Sequence, residues 1–266
     1  NRFVIKPVDG RGARGVLLLN KDDDLEWAFK ESLSWSDEKI LIAERFISGM
    51  QISSESYLLN GKAYTPALSE RNYSRLEEFS PYIIEDGGTI PAPVVDSMVK
   101  KIDKLIEDGA RSMGVVEGIV KGDIVIDEYG EPQIIELALR LSGGWFASNQ
   151  IIATSGVDLV DLVMKQALGM QVTKEMLIPK FSRSTSVRYW FPKSGKIKSI
   201  KGEDEIKRLT GLLKYGFFRK VGDYQPVVKM HPDRFGYVIV EGSDRDESIF
   251  RVENALSMLD INVEEG

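Results

Sequence analysis

The sequence predicts an α+β fold in which helices and paired strands form layers. Short runs rich in Val and Ile alternate with turns that contain Gly or Asn-Gly, which is typical of antiparallel strands. Two segments, 93–113 and 157–168, carry apolar residues at helical spacing, and we expect them to be amphipathic helices. The chain of 266 residues is long enough for one large domain or two ordinary ones, with ample core.

The composition excludes several classes of protein and of site. Lys and Arg total 35 against 41 for Asp and Glu, and the net charge of −6 argues against nucleic-acid binding and gives no attraction to a membrane. No apolar run approaches the roughly 20 residues that a membrane-spanning helix needs. Because the chain has no cysteine, disulfides, thiolate ligands and cysteine nucleophiles are excluded, and a cytoplasmic location is expected. The one histidine, His231, precedes Pro232 in a turn-like segment, where we expect no catalytic or ligand role.

The N-terminal segment predicts two strands, 2–6 and 16–19, that are joined by a glycine loop. Gly10, Gly12 and Gly15 allow backbone N–H groups to point inward together, as phosphate binding requires. Three basic side chains lie beside or within this loop: Lys6, Arg11 and Arg14. The loop precedes a strand, whereas a P-loop precedes a helix, so a mobile hairpin without a ligand is an equal alternative. The first strand has no initiator Met before it, and we expect the chain to begin inside a domain.

The next part of the chain predicts a helix and then a hairpin. The expected elements are a helix at 22–35, a strand at 40–44 that continues to Gly49, and strands at 51–59 and 62–68. Asn60-Gly61, between the last two strands, is the strongest short hairpin signal in the chain. Residues 69–92 lack clear periodicity, and we interpret them as a surface loop in preference to a substrate-facing lid.

The central stretch, 115–144, predicts two antiparallel strands whose apolar runs contain isolated acids. Asp123 and Glu136 each lie among Val and Ile, where a carboxylate loses water unless a cation or donor compensates it. Two acids on paired strands could share a magnesium ion, and Arg140 would point to the same face as Glu136. A surface hairpin with an ordinary Glu–Arg ion pair is the alternative for this stretch taken alone.

The composition changes between residues 171 and 183, and we expect a domain boundary there, between domains 1–172 and 173–266. The second domain predicts a smaller α+β unit. Its expected elements are strands at 185–191, 195–200, 225–230 and 235–241 and helices at 203–214 and 244–259. Asp244 and Glu247 have capping-box spacing at the start of the last helix.

Five ordered pieces within residues 1–170 resemble the ATP-grasp superfamily, which includes biotin carboxylase and carbamoyl phosphate synthetase. The pieces are VIKP at 4–7 with its glycine loop, ERFISG at 44–49, Asp123, IELALR at 135–140 and ATSGVD at 153–158. The resemblance implies an ATP-grasp fold that lacks its N-terminal portion, including a further phosphate-binding lysine. The second domain is similar to the C-terminal domain of amino-acid ligases and biotin carboxylase-like enzymes.

The resemblance implies a site for ATP and magnesium or manganese. Lys6 would contact the α and β phosphates, and the loop with Gly10, Gly12 and Gly15 would close over them with backbone donors. The hinge that reads the adenine edge would be Glu44, Arg45, Phe46 and Ile47. Gln51 stands where the family usually has an acid for the ribose hydroxyls, and an amide can still hydrogen-bond a hydroxyl.

The same resemblance assigns Asp123 and Glu136 to the metal and Arg140, with Lys6, to catalysis. The acids would hold magnesium between the phosphates, and Arg140 would steady the transferring phosphoryl group or the acyl phosphate. The family usually has Asn two residues after the second acid, where this chain has Ala138. The lost oxygen implies a weakened second metal site, although water can complete the shell of magnesium.

The resemblance implies an ATP-dependent ligase that activates a small carboxylate as an acyl phosphate for attack by an amine. Amino-acid or peptide ligation is our first expectation, ahead of carbamoyl phosphate or purine-pathway chemistry. The substrate pocket would be lined by Ser142, Gly143, Gly144 and Trp145, and Arg71 or Tyr73 would reach it from the loop.

Two alternatives to a ligase stay open at this point. One is a nucleotide-binding regulatory module that has lost ligase chemistry, for which Gln51 and Ala138 would be the signs. The other is a structural domain with accidental matches. We expect small-molecule substrates, no nucleic-acid or membrane partner, and a homodimer as the default assembly.

Overall fold

The computed structural model describes residues 2–264 and consists of paired strands with helices layered on them. The first strands are β1 (Phe3–Pro7), β2 (Leu17–Leu19), β3 (Leu41–Arg45), β4 (Gly49–Leu59), β5 (Lys62–Tyr64), β6 (Leu68–Asn72), β7 (Gly87–Ile90), β8 (Gly118–Asp127) and β9 (Pro132–Ala138). The later strands are β10 (Ser184–Trp190), β11 (Gly195–Lys201), β12 (Leu212–Phe217), β13 (Tyr224–Gln225), β14 (Gly236–Gly242) and β15 (Asp260–Glu264). The α-helices are α1 (Leu25–Ser34), α2 (Asp96–Ser112), α3 (Ile151–Ser155), α4 (Leu159–Ala167), α5 (Glu203–Lys207) and α6 (Arg245–Met258).

A large antiparallel sheet connects the two halves of the chain. Its strands run in the order β12-β14-β10-β7-β6-β4-β8-β9, and β5 pairs with β4 outside this row. Because β10 pairs with β7, the sheet passes from the first half of the chain into the second. The domain boundary expected near residue 172 therefore stays a prediction, since strands from both sides of it share this sheet.

The period of two along the strands separates an apolar face of the sheet from a polar one. Ile52 of β4 opposes Ile124 of β8, and both are buried in a core with Ile106 of α2. Each such side chain contributes about 1.5–3 kcal/mol to folding. The alternating residues Ser53 and Asp123, which also oppose each other, point to the other face. That polar face forms the floor of the cavity described below.

The N-terminal strands form a separate small sheet in the order β2-β1-β3, with α1 packed against it. Asp24 caps α1, because its carboxylate accepts a hydrogen bond of 3.0 Å from the backbone N of Trp27. Ser32 of α1 is buried and donates a hydrogen bond of 2.7 Å to the carbonyl oxygen of Gly15. The end of the glycine loop is thereby fixed to the helix.

The C-terminal part packs α6 against the large sheet and adds a small sheet in the order β13-β11-β15. Asp244 caps α6 by accepting a 2.9 Å hydrogen bond from Glu247 N, which confirms the predicted start of this helix. The buried hydroxyl of Ser248 lies 2.8 Å from Ser184 Oγ and 2.9 Å from Ser186 Oγ. These hydrogen bonds fix α6 to β10. None of the helices within residues 2–264 is long and apolar enough to cross a membrane.

The interpretation of residues 69–92 as a surface loop is wrong, because β6 and β7 lie inside the large sheet. Arg71 of β6 points to the polar face, so the strand lacks the apolar alternation that predicts strands. Gly87 and Gly88 have no side chain to give a pattern at all. They allow a close approach of β7 to β10, since a Cβ added at Gly87 would lie 2.3 Å from the carbonyl oxygen of Val187.

Two further predictions in the C-terminal part are wrong, and two strands there were not predicted. The helix expected at 203–214 ends after α5, because the chain turns at Gly211 with φ +80° and continues as β12. The strand expected at 225–230 is limited to β13, since Pro226 has no N–H for a ladder hydrogen bond. The last strand, β15, was not expected, and it pairs with β11.

We predict that Gly87→Ala destabilises the protein by about 3 kcal/mol, because the new Cβ would overlap the carbonyl oxygen of Val187. Gly143→Ala is a matched control, since neither glycine is in the left-handed region and a Cβ at Gly143 would have nothing within 4 Å. Urea unfolding of the two variants and the wild type measures the difference. Equal midpoints for the two variants would contradict the close approach of β7 to β10.

Candidate active site

A cavity of about 1330 Å³ lies between the polar face of the sheet, the glycine loop and residues 231–234. All but one of the expected site residues line it: Lys6, Gly10, Gly12, Glu44, Arg45, Phe46, Ile47, Gln51, Asp123, Glu136 and Arg140. The residues expected near the substrate also line it: Arg71, Tyr73, Ser142, Gly143, Gly144 and Trp145. Sites for one small ligand usually occupy about 300–1,000 Å³, so this cavity has room for more than one ligand.

Gly15 is the one expected site residue that the structure places outside the cavity lining. It is buried, with φ +68°, and a Cβ added there would lie 3.0 Å from the carbonyl oxygen of Ser32 and 3.1 Å from Pro7. A side chain at this position would therefore be both strained and crowded. The described contacts give Gly15 a structural role in anchoring the loop.

Lys6 lies on β1 and forms an ion pair with Glu44 on β3. The ammonium is 2.5 Å from Glu44 Oε2, and the Lys6 side chain is 18% exposed against 41% for Glu44. The ammonium is thus held in the cavity wall by a carboxylate that solvent still reaches. An anion that enters the cavity would compete with Glu44 for the Lys6 ammonium. Because the ammonium is already paired with a carboxylate, replacing Glu44 by the anion would cost it little further desolvation.

The glycine loop is bonded to a distant part of the chain. Gly12 and Ala13 have φ of +66° and +59°, and the left-handed conformation costs a non-glycine residue such as Ala13 about 1 kcal/mol. The backbone N of His231 donates a hydrogen bond of 3.0 Å to the carbonyl oxygen of Gly12. This bond holds the loop across the cavity.

Residues 46–48 connect β3 to β4 outside the sheet ladders. Phe46 is held by Arg2, whose carbonyl oxygen accepts from Phe46 N at 3.2 Å and whose guanidinium lies 5.1 Å from the ring centre. The next strand begins at Gly49 with φ +152°, where an added Cβ would lie 2.0 Å from the carbonyl oxygen of Ile126. The bend therefore requires glycine. This connection lines the cavity.

Asp123 is the centre of a buried ion cluster on the cavity floor. Arg71 Nη1 lies 3.2 Å from Oδ1, the Lys121 ammonium contacts Oδ2, and Ser53 Oγ donates to Oδ1 at 3.3 Å. The side chains of Asp123, Arg71 and Lys121 are 15%, 14% and 12% exposed. Burial raises the pKa of the Asp123 carboxyl, but the charges of Arg71 and Lys121 outweigh burial and hold the pKa below its usual value. The buried charge of Asp123 is therefore compensated by cations of the protein itself, Arg71 and Lys121.

Glu136 opposes Asp123 across β8 and β9 and is exposed to the cavity. It forms no ion pair with any of residues 2–264. No group of three or more Asp, Glu or His side chains that could hold a metal occurs in the described part of the chain. Magnesium accepts one or two carboxylates and completes its shell with water and phosphates. The donor set therefore fits one divalent ion at Glu136, whereas both oxygens of Asp123 already contact cations.

Glu85, Tyr189, His231 and Arg234 form a group of cavity residues to which the sequence assigned no role. The Arg234 guanidinium stacks on the ring of Tyr189, 3.7 Å from its centre, and donates to the carbonyl oxygen of Glu85 at 2.5 and 3.2 Å. Arg234 is 7% exposed and has no carboxylate partner among residues 2–264. A nearly buried guanidinium without an anion is costly for the folded protein and is therefore suited to bind an anionic ligand.

His231 also lies in the cavity wall, although we expected no role for it. Its Nε2 accepts a hydrogen bond of 3.4 Å from Glu85 N, which is 146 residues away in the chain. Burial, followed by the charges of Arg234, Arg71 and Lys121, lowers the pKa of His231 well below its usual value. The imidazole is thus neutral. The nearest signal in the sequence is the group HPDR at 231–234, a histidine and an arginine in one turn between strands.

Glu55 of β4 is fully buried beneath the loop that follows β9. Its carboxylate accepts hydrogen bonds of 2.9 and 3.2 Å from the backbone N of Ser142, and the Ser142 hydroxyl also donates to it. Burial raises the pKa of Glu55 to about 7, although the hydrogen bonds from Ser142 and the charges of Lys121 and Arg140 oppose this shift. Glu55 therefore fixes the loop that carries Arg140 to the sheet.

Trp145 forms an aromatic wall of the cavity at a strained point of the backbone. Its φ is +66°, and it precedes a π-helix at Phe146–Gln150. Such strain costs about 1–3 kcal/mol and clusters at functional sites, as π-helices do. The ring lies 5.2 Å from that of Tyr237, and the Lys214 ammonium lies 4.4 Å from its centre. These contacts orient the indole.

Two family models match the chain in sequence order. Residues 1–149 match the ATP-grasp domain, and residues 188–264 match the L-amino acid ligase C-terminal domain 2. A curated relative, the biotin carboxylase of Pseudomonas aeruginosa, is 23% identical over 276 residues. That match covers 96% of this chain and 56% of the relative.

Solved structures of other proteins have the same fold. The L-amino acid ligase from Bacillus licheniformis has a TM-score of 0.81 at 18% identity, covering 100% of this chain and 64% of that chain. A biotin carboxylase from Campylobacter jejuni has a TM-score of 0.69 at 17% identity, covering 99% of this chain and 58% of that chain. The fold that the resemblance implied is confirmed. This chain spans less than two thirds of the length of these relatives.

We predict that Glu55→Gln removes a pH-dependent loss of stability. The folded-state pKa of Glu55 is about 7, above the usual 4.5, so the favourable contribution of the protonated carboxyl is complete below pH 4.5 and lost as the pH rises through 7. The full loss is about 3 kcal/mol. Urea unfolding at pH 5 and pH 8 should show a smaller fall in the free energy of unfolding for Glu55→Gln than for the wild type. Glu128→Gln, an exposed turn residue, is the control, and parallel pH profiles for wild type and Glu55→Gln would contradict this prediction.

Proposed function

Because the chain belongs to the ATP-grasp family, we propose that it is an ATP-dependent ligase that joins a carboxylate to an amine. ATP phosphorylates the carboxylate to an acyl phosphate, and the amine then displaces the phosphate, so that ADP and phosphate are released. A carboxylate is a poor electrophile, and phosphorylation supplies its leaving group. The observation that carries this proposal is that the glycine loop, Glu136 and Arg140 line one cavity.

The nucleotide end of the cavity is proposed to lie between the glycine loop and residues 46–48. Lys6 would bind the phosphates in exchange for Glu44, from which the ammonium is separated by 2.5 Å. Backbone N–H groups of the loop would add donors that need no counter-charge. The adenine would lie against residues 46–48, and Gln51 on β4 would hydrogen-bond the ribose hydroxyls.

Magnesium or manganese would be held by Glu136 together with the nucleotide phosphates. Such an ion, when bound, neutralises the charge of the phosphates and polarises the transferring group. Asp123 would join this shell only if its contacts with Arg71 and Lys121 were broken. The residues present therefore support one metal ion in this part of the cavity.

The part of the cavity around Arg234 is proposed to bind an amino acid. Arg234 offers a guanidinium without a carboxylate partner, which fits the carboxylate of a substrate. The side chain of Glu85, 2.7 Å from Arg71, adds an acid that an ammonium group could approach. Residues 188–264, which match the L-amino acid ligase C-terminal domain 2, contribute Tyr189 and Arg234 to this part. We therefore propose amino acids as the substrate class.

The proposed chemistry needs no nucleophile from the protein. Lys6 and Arg140 would stabilise the charge that moves with the phosphoryl group, and the rigid sheet would align carboxylate and phosphate. Arg140 is exposed to the cavity, and within residues 2–264 it donates only to the carbonyl oxygen of Leu141, at 3.2 Å. It is thus free to turn toward a ligand. The hydrogen bonds from Ser142 to Glu55 hold the loop from which it extends.

The proposed partners are small molecules. A homodimer stays a prediction from the sequence, and sedimentation equilibrium of the purified protein measures it. The alternative of a regulatory nucleotide-binding module requires ATP to bind without any amino acid stimulating phosphate release. The two functions therefore differ in one measurable property, the dependence of phosphate release on amino acids.

We predict that phosphate release from magnesium ATP requires amino acids as co-substrates. The purified protein would be screened with single and paired amino acids and with small carboxylates, with ADP and phosphate measured together. Release that depends on a pair, with the ligated product detected by mass spectrometry, supports the ligase. Tight ATP binding without stimulation by any pair would overturn the ligase and leave the binding module.

We predict that Lys6→Ala lowers kcat/KM for ATP by about 100-fold or more, because a phosphate would lose a charged donor in a partly buried site. The exposed Lys21→Ala is the matched control and should keep wild-type kinetics. Thermal unfolding of both variants shows whether the fold is intact. Wild-type kinetics in a folded Lys6→Ala protein would contradict the proposed role.

A further inference from the structure

A lysine stands beside the acid pair on the cavity floor. Asp123 opposes Glu136 across β8 and β9, and two residues along the strands Lys121 opposes Ala138. Because side chains alternate along a strand, all four residues share one face of the sheet. Directly opposed residues have their Cβ atoms about 4.5–5.5 Å apart. Lys121 is therefore adjacent to the position where the family resemblance leads us to expect an oxygen ligand.

The ammonium of Lys121 is largely buried and contacts a carboxylate, as a bound metal ion would. It contacts Asp123 Oδ2, while Arg71 takes Oδ1 at 3.2 Å. Arg71 is itself fixed by Glu85, with Nη2 2.7 Å from Oε2. The Lys121 side chain is 12% exposed, so that solvent screens its charge only weakly. The cluster is complete without any added cation.

Two features of this chain act in the same direction. Ala138, which opposes Lys121, offers a methyl group, which cannot ligate a metal. Lys121 then adds a fixed positive charge on the same face of the sheet, two residues along the strands from the pair of Asp123 and Glu136. A divalent ion bound to Asp123 would lie at contact distance from this ammonium, and like charges repel strongly where solvent is scarce. Ala138 lacks the ligand, and Lys121 supplies the charge.

We propose that Lys121 replaces one of two divalent ions, so that the protein binds its nucleotide with a single metal ion, held at Glu136. The ammonium supplies the positive charge near the transferring phosphate that the second ion would otherwise supply. This inference rests on the proposed function, since it requires a nucleotide in the cavity. It predicts that Asp123 keeps its contacts with Lys121 and Arg71 when the nucleotide is bound.

The test counts manganese ions per bound nucleotide. Free Mn²⁺ is measured by electron paramagnetic resonance as it is titrated into the purified protein with a non-hydrolysable ATP analogue, and isothermal titration calorimetry measures the bound analogue. We expect one Mn²⁺ per bound analogue in the wild type. The double variant Lys121→Thr with Ala138→Asn restores an oxygen ligand and frees Oδ2 of Asp123, while Arg71 stays on Oδ1, and we expect it to bind two. Lys62→Met, an exposed lysine on β5, is the matched control and should bind one.

The outcomes separate this inference from the proposed function. Two Mn²⁺ per analogue in the wild type would overturn the inference and leave the ligase intact. One Mn²⁺ in a folded double variant would also overturn it, because Lys121 would then not be what excludes the second ion. No binding of the analogue to the wild type would overturn the proposed function and this inference with it. A wild-type count of two overturns the inference even if the double variant does not fold.

Discussion

The negative charge of Asp123 is the constraint around which the cavity floor is built. A carboxylate in the middle of a sheet loses most of its hydration, and the folded state is stable only if other groups replace the water. Here the replacements come from three strands: Ser53 of β4, Arg71 of β6 and Lys121 of β8 itself. The same contacts that neutralise the acid therefore tie together the strands that carry the rest of the site.

From Asp123 the charges continue in an alternating series across the cavity. Arg71 pairs with both Asp123 and Glu85, and Glu85 accepts from Arg234 through its backbone carbonyl. The series ends at Arg234, where the carboxylate partner is missing among the described residues. The pKa of His231 is lowered by burial and by these cations, so that the histidine adds a polar surface without further charge. An anion is thus the ligand that completes the series.

The family could be predicted from the sequence, together with the main residues of the proposed nucleotide end, because these residues lie in short contiguous pieces. The glycine loop and the acids at 123 and 136 were found in this way, and the structure brings them to one cavity. The part of the cavity around Arg234 could not be predicted. Arg234 and Glu85 are 149 residues apart, and neither lies in a pattern with its own meaning. Likewise β7 was missed because its glycines mark close strand packing, which depends on a partner strand nearly 100 residues later.

The bond between His231 N and the carbonyl oxygen of Gly12 has a consequence for how this protein can diverge. Both atoms belong to the backbone, so the bond does not depend on which side chain stands at 231, provided that it is not proline, whereas φ of +66° favours glycine at 12. Changes of side chains elsewhere on the loop can alter what it covers and leave this attachment in place. The connection between the two ends of the chain is thus insensitive to sequence drift, while the pocket that it closes is free to acquire new specificities.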